Sequence, residues 1–159
     1  MKVQSILLAK GSRVATIRPD ATVANAIHRL KVENIGALIV STDGRTMLGL
    51  VSEREIIRAL ADRGPVLLEE RVESMMAREV PTCAPQDQLT SVMAKMTRSR
   101  SRQVPVIEGG VLAGIVSIGD LVKHRLEELK SETDVLRFAA ERVREIDRAE
   151  EAAAYDADA

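Results

Sequence analysis

Aromatic side chains are almost missing from this sequence of 159 residues: Phe138 and Tyr155 are the only two, and there is no tryptophan. Stacking platforms for single-stranded nucleic acid, aromatic cages for quaternary ammonium and sugar-binding shelves all need such rings, so these functions are disfavoured. Cysteine is nearly absent too. Cys83 stands alone, which excludes an internal disulfide, a cysteine-based zinc site and a redox CxxC pair. His28 and His124 are the only histidines, and neither lies in a metal-ligand spacing such as H-E-x-x-H. No P-loop and no triad-like set is present, so the chain reads as a non-enzyme that needs no metal to fold.

Long apolar runs are lacking as well. Ile6–Ala9 is too short for a signal-peptide core, and no stretch approaches the roughly eighteen apolar residues of a membrane span. A cytoplasmic protein without a membrane partner is expected. Charge of one sign is also missing: 23 basic residues face 24 acidic ones, which argues against a nucleic-acid partner held by bulk electrostatics. What the chain does have is aliphatic: 45% of residues are hydrophobic, an ordinary proportion for a globular domain of this length.

The sequence repeats itself. Gly49-Leu-Val-Ser52-Glu-Arg-Glu55-Ile-Ile57 answers Gly114-Ile-Val-Ser117-Ile-Gly-Asp120-Leu-Val122. Upstream, Val14–Pro19 answers Val80–Pro85, and Val3–Leu7 answers Val72–Met76. The spacing between copies changes only near Lys10-Gly11-Ser12 and at Asp43-Gly44 against Gly109-Gly110, where turns tolerate insertion. Each copy predicts a short strand ending at Pro19 or Pro85, then a helix after Thr22 or Gln88 with apolar positions at helical spacing. A hairpin follows around Asp43-Gly44 or Gly109-Gly110, and a last helix begins after Ser52 or Ser117. The expected fold is therefore α/β (α+β): two β-α-β-β-α units, residues 1–64 and 72–127, joined by a linker at 65–71. One such unit buries too little surface alone, so the two should pack sheet against sheet.

Beyond residue 127 the sequence predicts a helical extension, 128–159. Val122, Leu126, Leu129, Thr133, Leu136, Ala140 and Val143 mark a heptad-like seam, imperfect at Thr133 and Ala140. The acidic, Ala-rich tail Glu150–Ala159 is expected to fray.

These residues resemble the cystathionine β-synthase (CBS) domain family in its stand-alone tandem form. The resemblance rests on Gly114–Asp120, on Val104-Pro105-Val106 before it, and on Val51–Glu55 in the first copy. It implies two repeats related by a pseudo-twofold axis with two clefts between them. Family members commonly bind AMP, ADP, ATP, NAD(H) or S-adenosylmethionine there, and pairs usually associate as a disc-like homodimer. A regulatory module binding an adenosine nucleotide is thus expected, signalling to an effector protein that the sequence does not identify. The alternative is a dimerisation or protein-interaction module with vestigial clefts and helix Val122–Ile146 as its contact surface.

By the same resemblance, Asp120 with Ser117, and Glu55 with Ser52, would hold the ribose, since one carboxylate can accept both hydroxyls. Ser52-x-x-Glu55 is equally a capping box, and the two roles can coexist because a helix N-terminus then faces the ligand. Glu55 departs from the usual aspartate, so unequal sites are expected, with the Asp120 site the tighter. The adenine slot maps to Thr82, Cys83, Pro105 and Val106 in the second copy and to Thr16, Ile17 and Val40 in the first. Arg102 is the leading phosphate candidate, with Gly36 at its matching position; Lys10 and Lys123 follow.

Overall fold

A computed structural model describes the backbone of residues 1–157 and the side chains through residue 150. Two units are formed, Met1–Leu121 and Val122–Ala159. In the first, repeat one contains β1 (Thr16–Ile17), α2 (Val23–Glu33), β2 (Ala37–Val40), β3 (Gly49–Ser52) and α3 (Glu53–Arg63), preceded by α1 (Val3–Lys10). Repeat two contains α4 (Leu89–Ser99), β4 (Gln103–Glu108) and β5 (Val111–Ser117), and α5 (Ile118–Ala157) starts directly after it.

Helix α2 starts where a short polar side chain satisfies a free amide. Thr22 Oγ1 accepts from Asn25 N at 3.2 Å to open α2. At the other end of α2 and of α4, Asn34 and Arg100 occupy the same left-handed conformation, each at φ +51°. Tertiary placement has thus kept the duplicated turn even where arginine must adopt it.

β1 pairs parallel with β2, and β2 pairs antiparallel with β3, matching Ala37 to Ser52 and Val40 to Gly49. In repeat two β4 and β5 form the hairpin, but the expected first strand shrinks to a single parallel bridge between Cys83 and Val106. The reason is chemical. In repeat one, Ile39 N–H donates to the Ala15 carbonyl at 3.0 Å. Its counterpart in repeat two is Pro105, which has no N–H to give.

Strand alternation divides the interior. Leu38, Val40 and Val51 turn toward α2 and α3, whereas Ala37, Ile39 and Leu50 face Leu112 and Ile115 of the other hairpin. Val14 and Val80, equivalent by the repeat, join that central layer.

The entry segments are exchanged. Val3 and Ile6, fully buried, pack with Cys83, Val92 and Val104 of repeat two, while Val72 and Met76 pack with Val23 and Leu38 of repeat one. Backbone bonds repeat the exchange: Val3 N donates to Asp87 O at 3.0 Å, and Val72 N to Ala21 O at 2.8 Å. The stretch expected as a linker also has structure, a short 3-10 helix Pro65–Glu69 whose Leu67 is wholly buried in the core of repeat one.

In the second unit α5 continues to Ala157, so helix extends well into the stretch expected to fray; residues 158–159 lie outside those described. Leu126, Leu136, Phe138 and Val143 are exposed along it. Among the described residues no helix is long and apolar enough to cross a membrane, and no cluster of His, Cys, Asp or Glu suits a metal ion.

Candidate functional site

Both repeats build a capping box where the last strand turns into a helix. Ser52 N donates to Glu55 Oε2 at 3.1 Å, and the Ser52 hydroxyl donates to the same oxygen. At the equivalent place Ser117 N donates to Asp120 Oδ2 at 2.8 Å, and Asp120 N donates to Ser117 Oγ at 3.2 Å. In each box a single carboxylate oxygen accepts the capping amide; the second, Oε1 or Oδ1, has no partner among the described residues. Capping therefore leaves half of each carboxylate open.

Their surroundings differ. Ser52 and Glu55 line a cleft of about 530 Å³ that draws on both repeats. Leu50 and Ile57 give it apolar wall, Val80 and Pro81 come from the entry segment of repeat two, and Arg100 and Arg102 from the turn before β4. Gly36, the counterpart of Arg102, is also in the lining, so close to repeat two that a Cβ there would lie 2.6 Å from Gln103 Nε2. The volume is in the usual range for small-molecule sites. Asp120 instead holds Lys10 Nζ at 2.6 Å. Burial alone would raise the Asp120 carboxyl, but the Lys10 bond and the Ser117 amide outweigh it and keep the group below the ordinary carboxylate range.

The expected base-slot residues lie elsewhere. Cys83, Pro105 and Val106 are buried in repeat two, and Cys83 uses both backbone groups, donating to Pro105 O at 3.0 Å and accepting from Ile107 N at 2.8 Å. Desolvation, with Asp87 nearby, pushes the Cys83 thiol up to about 11. Val40 is fully buried on the helix side of its sheet. Thr16 and Ile17 border a shallower groove of about 550 Å³ with Asn25, His28 and Ser41. The Thr16 carbonyl accepts from Arg29, and the Thr82 carbonyl from Lys95, its equivalent in repeat two. Arg102 shares the cleft of Ser52 and Glu55, Lys10 is committed to Asp120, and Lys123 belongs to the second unit. The sequence reading passed over Val80 and Pro81, although its own repeat alignment set them against Val14 and Ala15.

Comparison with known proteins supplies the context. A family model described as CBS domain matches residues 10–62 and 72–127. The crystal structure of the CBS-domain containing protein ATU1752 from Agrobacterium tumefaciens is 39% identical, with a TM-score of 0.76 over 79% of this chain and 99% of its own. The mitochondrial CBS domain-containing protein CBSX3 of Arabidopsis thaliana is 32% identical over 117 residues, 71% of this chain; the chain spans 57% of that relative's length. The CBS domain pair of protein MJ0100, solved with 5′-methylthioadenosine and S-adenosyl-L-methionine, is 23% identical and shares the fold, at a TM-score of 0.70 over 80% of this chain and 98% of its own.

Proposed function

Because the chain belongs to the CBS domain family, with two repeats and a C-terminal helix, we propose that it is a regulatory rather than catalytic module that binds an adenosine nucleotide (AMP, ADP, ATP or NAD(H)) between its repeats. One observation carries this reading: an open carboxylate oxygen, apolar wall and free cations meet in a single cleft of about 530 Å³. Glu55 Oε1 would take the ribose hydroxyls while Oε2 keeps the helix capped. Leu50, Ile57, Val80 and Pro81 would sandwich the base, and Arg102 would meet phosphate. Asp120, with Ser117, offers a second ribose contact, which requires Lys10 to move from the carboxylate onto the phosphate. The MJ0100 pair, whose fold is shared, holds adenosine-containing ligands, which supports this class. Homodimerisation through the repeats, an effector protein and a cytoplasmic setting complete the proposal.

Thermal melting tests it. At a hundred times its dissociation constant a ligand adds about 2.7 kcal/mol, or roughly 5–10 °C at this size. Such a shift is expected with AMP, ATP or NADH and little with guanosine nucleotides. Glu55→Gln preserves the capping geometry but removes the charge, and should shrink the shift strongly. No shift with any adenine compound would end the reading.

The exposed leucines and Phe138 of α5 favour a second reading, an interaction module working through that helix. Truncation after Lys123 that breaks the oligomer, with no nucleotide shift, would select it.

A further inference from the structure

More guanidinium groups gather in the cleft than one phosphate requires. Arg54 and Arg58 come from α3, and Arg100 and Arg102 from the turn between α4 and β4. Arg54 is committed, donating to the Arg100 carbonyl and tying one repeat to the other. The side chains of Arg58, Arg100 and Arg102 make no hydrogen bond or ion pair among the described residues. Glu53 and Glu79 of the same lining are also unpaired, so no direct contact neutralises the cations in advance.

The two copies differ in this charge. Arg100 and Arg102 stand where repeat one has Asn34 and Gly36. Arg100 keeps the left-handed conformation of Asn34, at φ +51°, which long side chains adopt only against a steric cost. Both residues close the C-terminus of their helix, so the turn itself is shared by the two copies and only the side chains differ. Two cations thus occupy this turn in one copy only, and both line the cleft that holds Ser52 and Glu55.

Building on the nucleotide reading above, we propose that this cleft selects the length of the phosphate chain: it takes an adenosine di- or triphosphate over the monophosphate, and rejects a sulfonium nucleoside. A guanidinium matches phosphate oxygens with paired donors, and each such bond is charge-assisted. Three guanidinium groups carry more positive charge than the two negative charges of a monophosphate can match, whereas a triphosphate brings charge and oxygens for all of them. A sulfonium carries the wrong charge to stand beside them.

Calorimetric titration of the full chain with magnesium-free AMP, ADP, ATP, S-adenosylmethionine and inorganic triphosphate tests the proposal. Affinity should rise at least tenfold from AMP to ATP, and the double substitution Arg58→Ala/Arg102→Ala should reduce that ratio below about twofold while AMP still binds. If AMP and ATP bind equally and Glu55→Gln weakens both, the chain-length proposal fails and the nucleotide reading stands. If inorganic triphosphate binds as tightly as ATP, the arginines read phosphate but the nucleotide reading fails. If none of the five binds, both are overturned.

Discussion

Lys10 Nζ lies 2.6 Å from Asp120 Oδ2, the oxygen that also accepts the Ser117 amide at 2.8 Å. The last residue of α1 thereby completes a helix cap that belongs to the other repeat. Because Asp120 is held below the ordinary carboxylate range when folded, it contributes stability that is present above the unfolded value of about 3.9 and is lost as pH falls through the folded one. The two side chains are 34% and 26% exposed, so the pair is worth about 1 kcal/mol or less. Lys10→Met should lower stability by that amount near neutral pH, and the gap should close as pH drops below about 4. Urea unfolding of both proteins across that range decides it; a gap that stays constant into acid would show that the loss is not electrostatic.

Gly49 and Gly114 are equivalent glycines facing exchanged segments, yet they should not respond alike to substitution. A Cβ on Gly49 would meet the Ala77 carbonyl and Met76 Sδ, both at 2.8 Å; one on Gly114 would meet Leu7 Cδ2 at 2.6 Å. A leucine methyl can rotate away. A carbonyl that accepts the Leu50 amide at 2.9 Å cannot. Gly49→Ala should therefore cost about 1–3 kcal/mol, and Gly114→Ala distinctly less. Trimming Met76 to alanine should not rescue Gly49→Ala, since the backbone clash remains. Equal losses in denaturant melts would refute the distinction.

Cys83 is 5% exposed, and desolvation raises its thiol to about 11. Both conditions suppress the thiolate, the species that reacts. A disulfide reagent at pH 8 should label the native protein far more slowly than the urea-unfolded chain, with the native rate following the opening of repeat two. Fast native labelling would mean that Cys83 borders open space rather than core.

The duplication, the hairpins and both Ser-x-x-acid helix starts were legible because periodicity and spacing are local properties. Leu67 was not legible as core, since a Gly-Pro start and a charged finish make its segment resemble a linker. The part that Val80 and Pro81 play in the cleft was not legible for a different reason. Sequence alignment set Val80-Pro81 beside Val14-Ala15, but only the exchanged packing brings Val80 and Pro81 to Ser52 and Glu55 of the other repeat. Likewise, Lys10 was read as a phosphate cation because its partner is 110 residues away. For Val80, Pro81 and Lys10 the deciding contact is made between the two repeats, where spacing carries no information.

That exchange makes a prediction about α1. Ile6 belongs in sequence to repeat one, yet it is 0% exposed within the core of repeat two. Truncating a buried isoleucine removes its transfer energy and leaves a cavity, so Ile6→Ala should cost about 2–5 kcal/mol. The location of the damage is the sharper test. Amides of Leu89–Ser99 and Gln103–Glu108 should lose hydrogen-exchange protection first, whereas Leu38–Val40 should hold until global unfolding. Val72 is the mirror case: Val72→Ala should loosen Val23–Leu30 and β2 while sparing α4. If both substitutions instead weaken the repeat to which they belong in sequence, the entry segments are not exchanged, and a cleft shared by Glu55 and Pro81 loses its structural basis.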